Sequence, residues 1–380
     1  MAQIDICAIS GSRLCWISPV LQEEPLELRP LLQDNVPPQH GRLLKGTRKL
    51  RYLITGGAGF IGSHLSDRLT ADGHEVVVLD DLSTGRIDNV EHLIRSQRIE
   101  FVEGSTTDED LVVGVLESVD ACVHLASVVG VSLVVDRPVD TLLSNIRGTD
   151  IVLSAAAGLR KRTLFASTSE IYGKHSNGAL NEDADRILGP IQKCRWNYAT
   201  SKSFGEALAL GYAQELGARN TVVRLFNTVG PRQTGMYGMV LPRFVRQAVT
   251  GQPVTVYGDG TQSRCFAHVY DTVEALVCLL DCDEAVGRVF NIGNDTEISI
   301  MGLARRVIAR SGSRSEIHFV PYSEAYDEGF EELGRRKPDT SLLRSLTGWV
   351  PERSVDDAID DVILHERASM NGALEGAQVA

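Results

Sequence analysis

The sequence is poor in the features that mark membrane, metal-binding and disulfide-linked proteins. None of its apolar runs reaches the ~18 residues of a membrane span, so we predict no membrane segment and no membrane partner. The cysteines include no C-x-x-C pair, so a metal site is not expected, and the thiols are predicted to be reduced in a cytoplasmic compartment. The net charge of −12 argues against a nucleic-acid partner.

Regular hydrophobic periodicity is also missing from the first part of the chain. Residues 1–48 contain five prolines and lack the basic leading segment that begins a signal peptide. We predict an N-terminal extension over 1–48 that is poorly ordered. A short apolar arm that packs on the surface or on a partner is the alternative. The rest of the chain is long enough to bury a large core.

From Arg51 onward, strand-like and helix-like apolar patterns alternate. The predicted strands are 51–55, 75–79, 99–102, 120–125, 162–167 and 221–226. The predicted helices are 60–72, 86–97, 108–117, 137–158 and 197–216, followed by 271–280 and 300–311. This alternation predicts an α/β fold, a Rossmann-type doubly wound parallel sheet with ligands at the carboxyl ends of its strands.

A glycine-rich turn joins the first predicted strand to the first predicted helix. Glycines at 56, 59 and 62 allow a tight turn and a close approach of the backbone to a pyrophosphate at the helix N-terminus. The next strand ends in Asp80 and Asp81, which suit the ribose hydroxyls of NAD and would repel the phosphate of NADP. Arg86 could instead receive such a phosphate. These pieces follow in order within about 30 residues, and this order predicts dinucleotide binding.

Tyr198 and Lys202 are a candidate catalytic pair. They lie four residues apart near the start of a predicted helix, so both side chains share one face. A nearby ammonium favours the phenolate, which a tyrosine needs if it is to act as a base near neutral pH. Most pairs at this spacing lie on solvated helix faces, so the pair gains weight only from the dinucleotide site.

Several motifs resemble the extended short-chain dehydrogenase/reductase superfamily, whose members modify nucleotide sugars. The similar pieces include G-G-A-G-F-I-G (56–62), A-S-T-S-E-I-Y-G (166–173), Y-A-T-S-K (198–202) and L-F-N-T-V-G-P-R (225–232). The resemblance implies a tightly bound, recycled NAD and a nucleotide-sugar substrate, with UDP expected as the nucleotide. It also implies a homodimer formed through helices within 86–117 or 137–158 and 197–216.

The resemblance also implies a division of the chain. We expect an NAD-binding Rossmann domain over 49–229. The pattern becomes less regular after Asn227, and 230–380 is expected to form mainly a smaller substrate-binding lobe, with some segments returning to the first domain.

Three features look most like UDP-glucuronate decarboxylases. These are Glu170 in S-T-S-E, the lead-in L-G-P-I-Q-K-C-R-W-N-Y (188–198), and the region from Tyr326 to Arg336-Lys-Pro. Segment 236–243 looks more like 4-epimerases, so a UDP-hexose or UDP-hexuronate 4-epimerase is the main alternative. A nucleotide-sugar 4,6-dehydratase is a further alternative, and an NAD-binding regulatory or scaffold protein is the non-enzyme one.

The resemblance assigns roles to individual residues. Tyr198 would be the base, Lys202 would hold the nicotinamide ribose, and Thr168 would bind the sugar 4-hydroxyl. Glu170 and Arg336 would act at carbon 5, where oxidation at carbon 4 allows CO2 to leave. The remaining cofactor contacts are expected at Gly56, Gly59, Phe60, Ile61, Gly62, Asp80, Asp81, Ser83, Thr84, Gly85, Ser105, Thr106, Leu125, Ala126, Ser127, Asn145 and Ser167. The remaining substrate contacts are expected at Ser169, Asn227, Arg232, Leu241, Val256, Tyr257 and Arg264, with Arg336 in a second, diphosphate-binding reading.

Two positions depart from the superfamily pattern. Ser105 stands where an aspartate near the adenine is usual, and Ser127 replaces a common alanine beside the nicotinamide. Both remain expected cofactor contacts.

Overall fold

The structure is a computed structural model, and it describes residues 49–129, 137–175, 178–235, 239–325 and 335–379. The predicted extension over 1–48 lies outside the described residues. So does most of the Tyr326–Arg336 region that carries the third decarboxylase-like feature.

The strands and helices of the described residues alternate from Arg51 onward, as predicted. The strands are β1 (Arg51–Thr55), β2 (Glu75–Asp80), β3 (Ile99–Glu103), β4 (Ala121–His124), β5 (Arg162–Thr168), β6 (Asn220–Leu225), β7 (Thr228–Val229), β8 (Val254–Tyr257), β9 (Ser263–Cys265), β10 (Ala267–His268), β11 (Val289–Ile292), β12 (Glu297–Ser299) and β13 (Ile317–Val320). The α-helices are α1 (Phe60–Ala71), α2 (Glu91–Arg95), α3 (Glu109–Glu117), α4 (Pro138–Gly158), α5 (Trp196–Leu216), α6 (Val240–Val249), α7 (Val269–Leu280), α8 (Ile300–Ser311), α9 (Tyr322–Ala325), α10 (Ser341–Thr347) and α11 (Val355–Val379). Short 3-10 helices lie at Ile87–Asn89, Ser169–Tyr172 and Asp283–Ala285.

Seven of the described strands form one parallel sheet in the order β11-β6-β5-β4-β1-β2-β3. Its central strands β1, β4 and β5 are buried almost throughout, as in a parallel sheet covered on both faces, whereas the edge strand β3 exposes Glu100 and Glu103. The strand order reverses between β1 and β4, which is where open α/β sheets bind their ligands. The predicted Rossmann-type fold is therefore confirmed.

Two of the hydrophobic cores among the described residues show how the two halves of the chain combine. The first core packs α1 and α7 against one face of the sheet and includes Leu65, Leu69 and Leu276. The second core lies between α6, α8 and α11 and includes Phe244 and Ile359. Because β11 and α7 join the sheet and the first core, part of the chain beyond Asn227 returns to the first half. The predicted boundary between 229 and 230 stays a prediction.

One predicted helix is broken in two. The pattern predicts a helix over 86–97, whereas the structure has the 3-10 turn Ile87–Asn89 followed by α2. Asn89 donates a hydrogen bond from its side chain to the Ala58 carbonyl, 2.9 Å away in the glycine-rich turn. This bond ties the segment to α1 and interrupts the helical path at Val90.

Helices α4 and α5 are among those in which the homodimer interface is expected, and they pack against each other. The dimer itself stays a prediction. No helix in the described ranges is long and apolar enough to cross a membrane.

Candidate active site

A large cleft opens at the carboxyl ends of the parallel strands. Its volume is about 760 Å³, and its walls come from both halves of the described chain. Every residue predicted to bind cofactor or substrate lines this cleft except Val256. Val256 is fully buried in the second core, because neighbouring strand residues point to opposite sides and Tyr257 takes the cleft side of β8.

The glycine-rich turn is tight enough to need its glycines. Gly56 has a φ of +70°, and a Cβ there would lie 2.8 Å from the Ala126 nitrogen. A Cβ on Gly62 would lie 2.3 Å from the Gly56 carbonyl oxygen. The turn therefore brings the first N–H groups of α1 to the cleft surface, where they suit a pyrophosphate.

Asp80 anchors the loop that follows β2. Its two carboxylate oxygens accept hydrogen bonds from the Ala58 and Leu82 nitrogens, each at 2.9 Å. Burial raises the pKa of Asp80, and the two backbone N–H groups oppose that rise. A Cβ on Gly85 would lie 2.7 Å from the nearer Asp80 oxygen, so Gly85 leaves room for the carboxylate. Arg86 also lines the cleft and pairs with Asp88 at 2.9 Å.

Asn145 fixes the loop after β4. Its side-chain oxygen accepts hydrogen bonds from the Ser127 hydroxyl at 3.1 Å and the Val128 nitrogen at 2.7 Å. Its side-chain nitrogen donates to the Val128 carbonyl at 3.0 Å. Ser127 also hydrogen-bonds Tyr198. Thus Asn145, predicted to bind cofactor, also positions a residue that touches the candidate base.

Tyr198 and Lys202 share the cleft-facing side of α5. Lys202 Nζ donates to the Ala166 carbonyl at 2.9 Å and lies 6.0 Å from the centre of the Tyr198 ring. Burial lowers the pKa of Lys202 to about 7, although Glu206 opposes this change. Burial raises the pKa of Tyr198, and the charge of Glu170 raises it further. The phenol is therefore protonated near neutral pH in this structure.

Two arginine side chains lie close to the Glu170 carboxylate. One of its oxygens lies 3.5 Å from Arg336 and 3.7 Å from Arg195. Thr168 ends β5, and its hydroxyl accepts a hydrogen bond from the Glu170 nitrogen at 3.2 Å, which begins the 3-10 helix. Arg336 is held near Glu170 because the Leu180 nitrogen donates to the carbonyl of the next residue, Lys337, at 2.8 Å.

The predicted substrate residues form the other wall. Asn227 donates from its side chain to the Cys265 carbonyl at 3.0 Å. Arg264 donates to the Ser263 carbonyl at 2.7 Å. Arg232 pairs with Asp67 of α1 at 2.7 Å, which links this wall to the dinucleotide helix. Leu241 and Ser169 line the cleft as buried residues.

Sequence reasoning missed several lining residues. Arg195 was noted only as part of the decarboxylase-like lead-in, and its contact with Glu170 spans a loop. Arg243 stacks on Tyr257, with 3.8 Å between its guanidinium carbon and the ring centre. Gln262 donates to the Tyr322 hydroxyl at 2.8 Å. These contacts depend on tertiary packing, so only the residue types could have hinted at them.

The lining fits a dinucleotide in two respects. The tight glycine turn leaves the backbone N–H groups of α1 accessible, as a pyrophosphate requires. The Ser167 hydroxyl is buried in the cleft wall without a hydrogen-bond partner among the described residues, so a polar ligand group could satisfy it. In the described ranges no cluster of His, Cys, Asp and Glu could hold a metal ion.

Comparison with known proteins identifies the family. Residues 52–293 match the NAD dependent epimerase/dehydratase family. The chain belongs to this family. A UDP-N-acetyl-alpha-D-glucosaminuronate decarboxylase of Bacillus cytotoxicus is 39% identical over 316 residues, which cover 83% of this chain and 97% of that protein. UDP-glucuronic acid decarboxylase 1 of Danio rerio is 36% identical over 343 residues, which cover 90% of this chain and 78% of that protein.

Solved structures of the family share the fold. The UDP-glucuronic acid 4-epimerase of Bacillus cereus, crystallised with UDP-glucuronic acid and NAD, has a TM-score of 0.75 and 27% identity. The match covers 84% of this chain and 99% of that one. The predicted superfamily is confirmed, and the protein is an enzyme of the NAD-dependent epimerase/dehydratase family.

Proposed function

We propose that this enzyme decarboxylates a UDP-hexuronate, with UDP-glucuronate as the first candidate and a UDP-pentose as the product. The observation that carries the proposal is the position of Glu170 between Arg195 and Arg336, in the cleft that also holds Tyr198 and Lys202. Guanidinium groups recognise carboxylates, and a neutral hexose offers them no anion on the sugar itself. The names of the two relatives, both decarboxylases of UDP-linked uronic acids, support the same reading.

The first step falls to Tyr198, Thr168 and Lys202. Tyr198 takes the proton of the sugar 4-hydroxyl, and the Thr168 hydroxyl at the end of β5 orients that group. A bound NAD+ would supply the hydride acceptor for carbon 4 and, once reduced, the donor for the return of that hydride, so we expect it to stay tightly bound and to be recycled. Lys202 lies between the Ala166 carbonyl and the Tyr198 ring, where it can bind a ribose hydroxyl.

The second step falls to Glu170 and the arginines. A ketone at carbon 4 is β to the carboxylate on carbon 5, so loss of CO2 leaves an enolate. Fixed cationic donors stabilise such a charge, and we assign this role to Arg336, which lines the cleft 3.5 Å from Glu170. Glu170 is the candidate general acid or orienting group at carbon 5, and as an acid it has to take up a proton from water first, because decarboxylation consumes one proton. It lies two residues beyond Thr168, and its backbone nitrogen donates to the Thr168 hydroxyl.

The 4-epimerase stays the second candidate function. The likeness to a UDP-glucuronic acid 4-epimerase in fold and chain coverage favours it, because that enzyme shares the first oxidation. A 4,6-dehydratase is a third. An N-acetylated uronic acid is the alternative substrate within the decarboxylase proposal, since one relative is named for it.

Product analysis separates these functions. The enzyme is incubated with NAD+ and, in separate reactions, with UDP-glucuronate, UDP-N-acetylglucosaminuronate and UDP-glucose, and the products are identified by mass spectrometry. Loss of the mass of CO2 from a uronic acid supports decarboxylation, an isomer of unchanged mass indicates epimerisation, and loss of water indicates dehydration. Absence of CO2 release from both uronic acids would contradict the proposal.

A further inference from the structure

Arg195 faces the same carboxylate as Arg336 but comes from a different part of the chain. It directly precedes α5, whereas Arg336 lies in the segment next to Leu180. The Arg195 side chain is 7% exposed and that of Arg336 is 11% exposed, while Glu170 between them is 22% exposed. All three line the cleft, so a ligand that enters the cleft can reach both guanidinium groups.

Helix stability does not explain the position of Arg195. A cation at the start of a helix meets the positive end of the helix dipole, which is unfavourable. Burial of a guanidinium also costs free energy unless an anion lies nearby. One anion near Arg195 is Glu170, at 3.7 Å, a distance too long for a strong hydrogen bond.

We propose that Arg195 is a specificity-determining residue that, with Arg336, selects nucleotide sugars carrying a carboxylate. Glu170 lies within 4 Å of both guanidinium groups. A carboxylate on carbon 5 of the sugar is an anion that can accept hydrogen bonds from guanidinium groups, whereas a neutral hydroxymethyl group brings no charge to them. This inference rests on the proposed function, because it concerns the same sugar position.

Binding measurements test Arg195 without turnover. The NAD-loaded enzyme is titrated with UDP-glucuronate and with UDP-glucose, which differ at the carboxylate, and the ratio of the two affinities is the readout. Arg195→Gln should weaken UDP-glucuronate binding by about tenfold or more, the usual cost of losing a hydrogen bond to a charged group, and leave UDP-glucose binding unchanged. Arg195→Lys should give a smaller loss, because lysine keeps the charge without the planar fork.

Arg335→Gln is the matched control. Arg335 is the neighbour of Arg336, but it pairs with Glu297 and lies outside the cleft lining, so its loss should leave the affinity ratio unchanged. If Arg195→Gln weakens both ligands equally, or neither, Arg195 does not determine specificity. Should the glutamine variant fail to fold, an unchanged affinity ratio in Arg195→Lys overturns the inference. Selective binding by a wild-type enzyme that releases no CO2 would contradict the proposed function and leave this inference standing.

Discussion

The surroundings of Tyr198 shift its pKa in opposite directions. Burial and the charge of Glu170 raise its pKa, while the hydrogen bond with Ser127 lowers it. Lys202 is only partly charged at neutral pH, because burial lowers its pKa to about 7. The raised pKa means that little phenolate is present near neutral pH, and a positive charge that enters the cleft with the ligands would favour the phenolate. The resting protein therefore keeps its base protonated.

The hydroxyl of Tyr198 can be removed while its ring is kept. We expect Tyr198→Phe to lower the turnover of UDP-glucuronate by roughly 10²–10⁴-fold, the usual contribution of a positioned base, and to retain NAD binding. Product formation and calorimetric titration with NAD measure the two effects. Tyr212→Phe, on the same helix but outside the cleft lining, is the control and should stay fully active. Normal turnover in Tyr198→Phe would remove Tyr198 from the mechanism.

Lys202 gives the protein a specific pH dependence. Its pKa is about 7 in the folded protein, and a free lysine titrates at about 10.4. Between these values the unfolded chain holds a proton that the folded protein lacks, so the Lys202 contribution makes stability rise with pH in this window. We expect Lys202→Met to flatten that rise. Urea unfolding of the wild type and the variant, both free of cofactor, measures the unfolding free energy across this pH window. Equal slopes of that free energy against pH in the two proteins would contradict the low pKa of Lys202.

The glycine-rich turn is the element whose geometry the sequence predicted best. The spacing of its glycines fixes a strand, a turn and a helix in order, and the structure places β1, the turn and α1 there. The other predicted strands of the sheet also agree with the structure to within two residues at each end. Buried parallel strands are short apolar runs with clear ends, so their bounds can be predicted. The prediction of one continuous helix over 86–97 was wrong, because hydrophobic periodicity does not reveal the hydrogen bond from Asn89 to Ala58.

Gly62 can be compared with a glycine that has free space around it. A Cβ on Gly62 would lie 2.3 Å from the Gly56 oxygen and 2.7 Å from the Gly57 Cα, so Gly62→Ala has to open the turn. We expect weaker NAD binding and a lower melting temperature. In Gly114→Ala the new methyl meets nothing within 4 Å, and alanine should stabilise helix α3 by up to about 1 kcal/mol. Similar effects of both variants on NAD affinity would argue against a special role for the turn.

The site was predictable only where residues are close in sequence or belong to a motif. Strand β8 shows the limit, because both Val256 and Tyr257 were expected at the substrate. Successive side chains of a strand point to opposite sides, so only one of the two can face the cleft. In the structure that residue is Tyr257. The resemblance alone implied that Glu170 and Arg336 act at the same sugar carbon, whereas the contact of Glu170 with Arg195 was not predicted, since it depends on how distant segments pack beside the end of β5.

The first and second cores bear on whether the molecule unfolds in one cooperative transition. The first core contains α7 and β11 from the second half of the chain, so neither half can leave the other without exposing buried apolar surface. Trp349 adds to this link, because it packs in the first core and its indole nitrogen donates to the Asp271 carbonyl at 3.1 Å. The predicted lobes therefore share a core, which favours cooperative unfolding.

A cavity in the second core tests this cooperativity. Ile359 is fully buried between α6, α8 and α11, and Ile359→Ala should cost about 2–5 kcal/mol of unfolding free energy. Because α7 and β11 of the second half belong to the first core and the sheet, we expect tryptophan fluorescence and far-UV circular dichroism to report one shared transition, shifted to lower urea. Addition of NAD should move that whole transition upward, since ligand binding stabilises the entire cooperative unit. Two separate transitions, with only one shifted by the substitution, would mean that the lobes predicted over 49–229 and 230–380 unfold independently despite the interleaved chain.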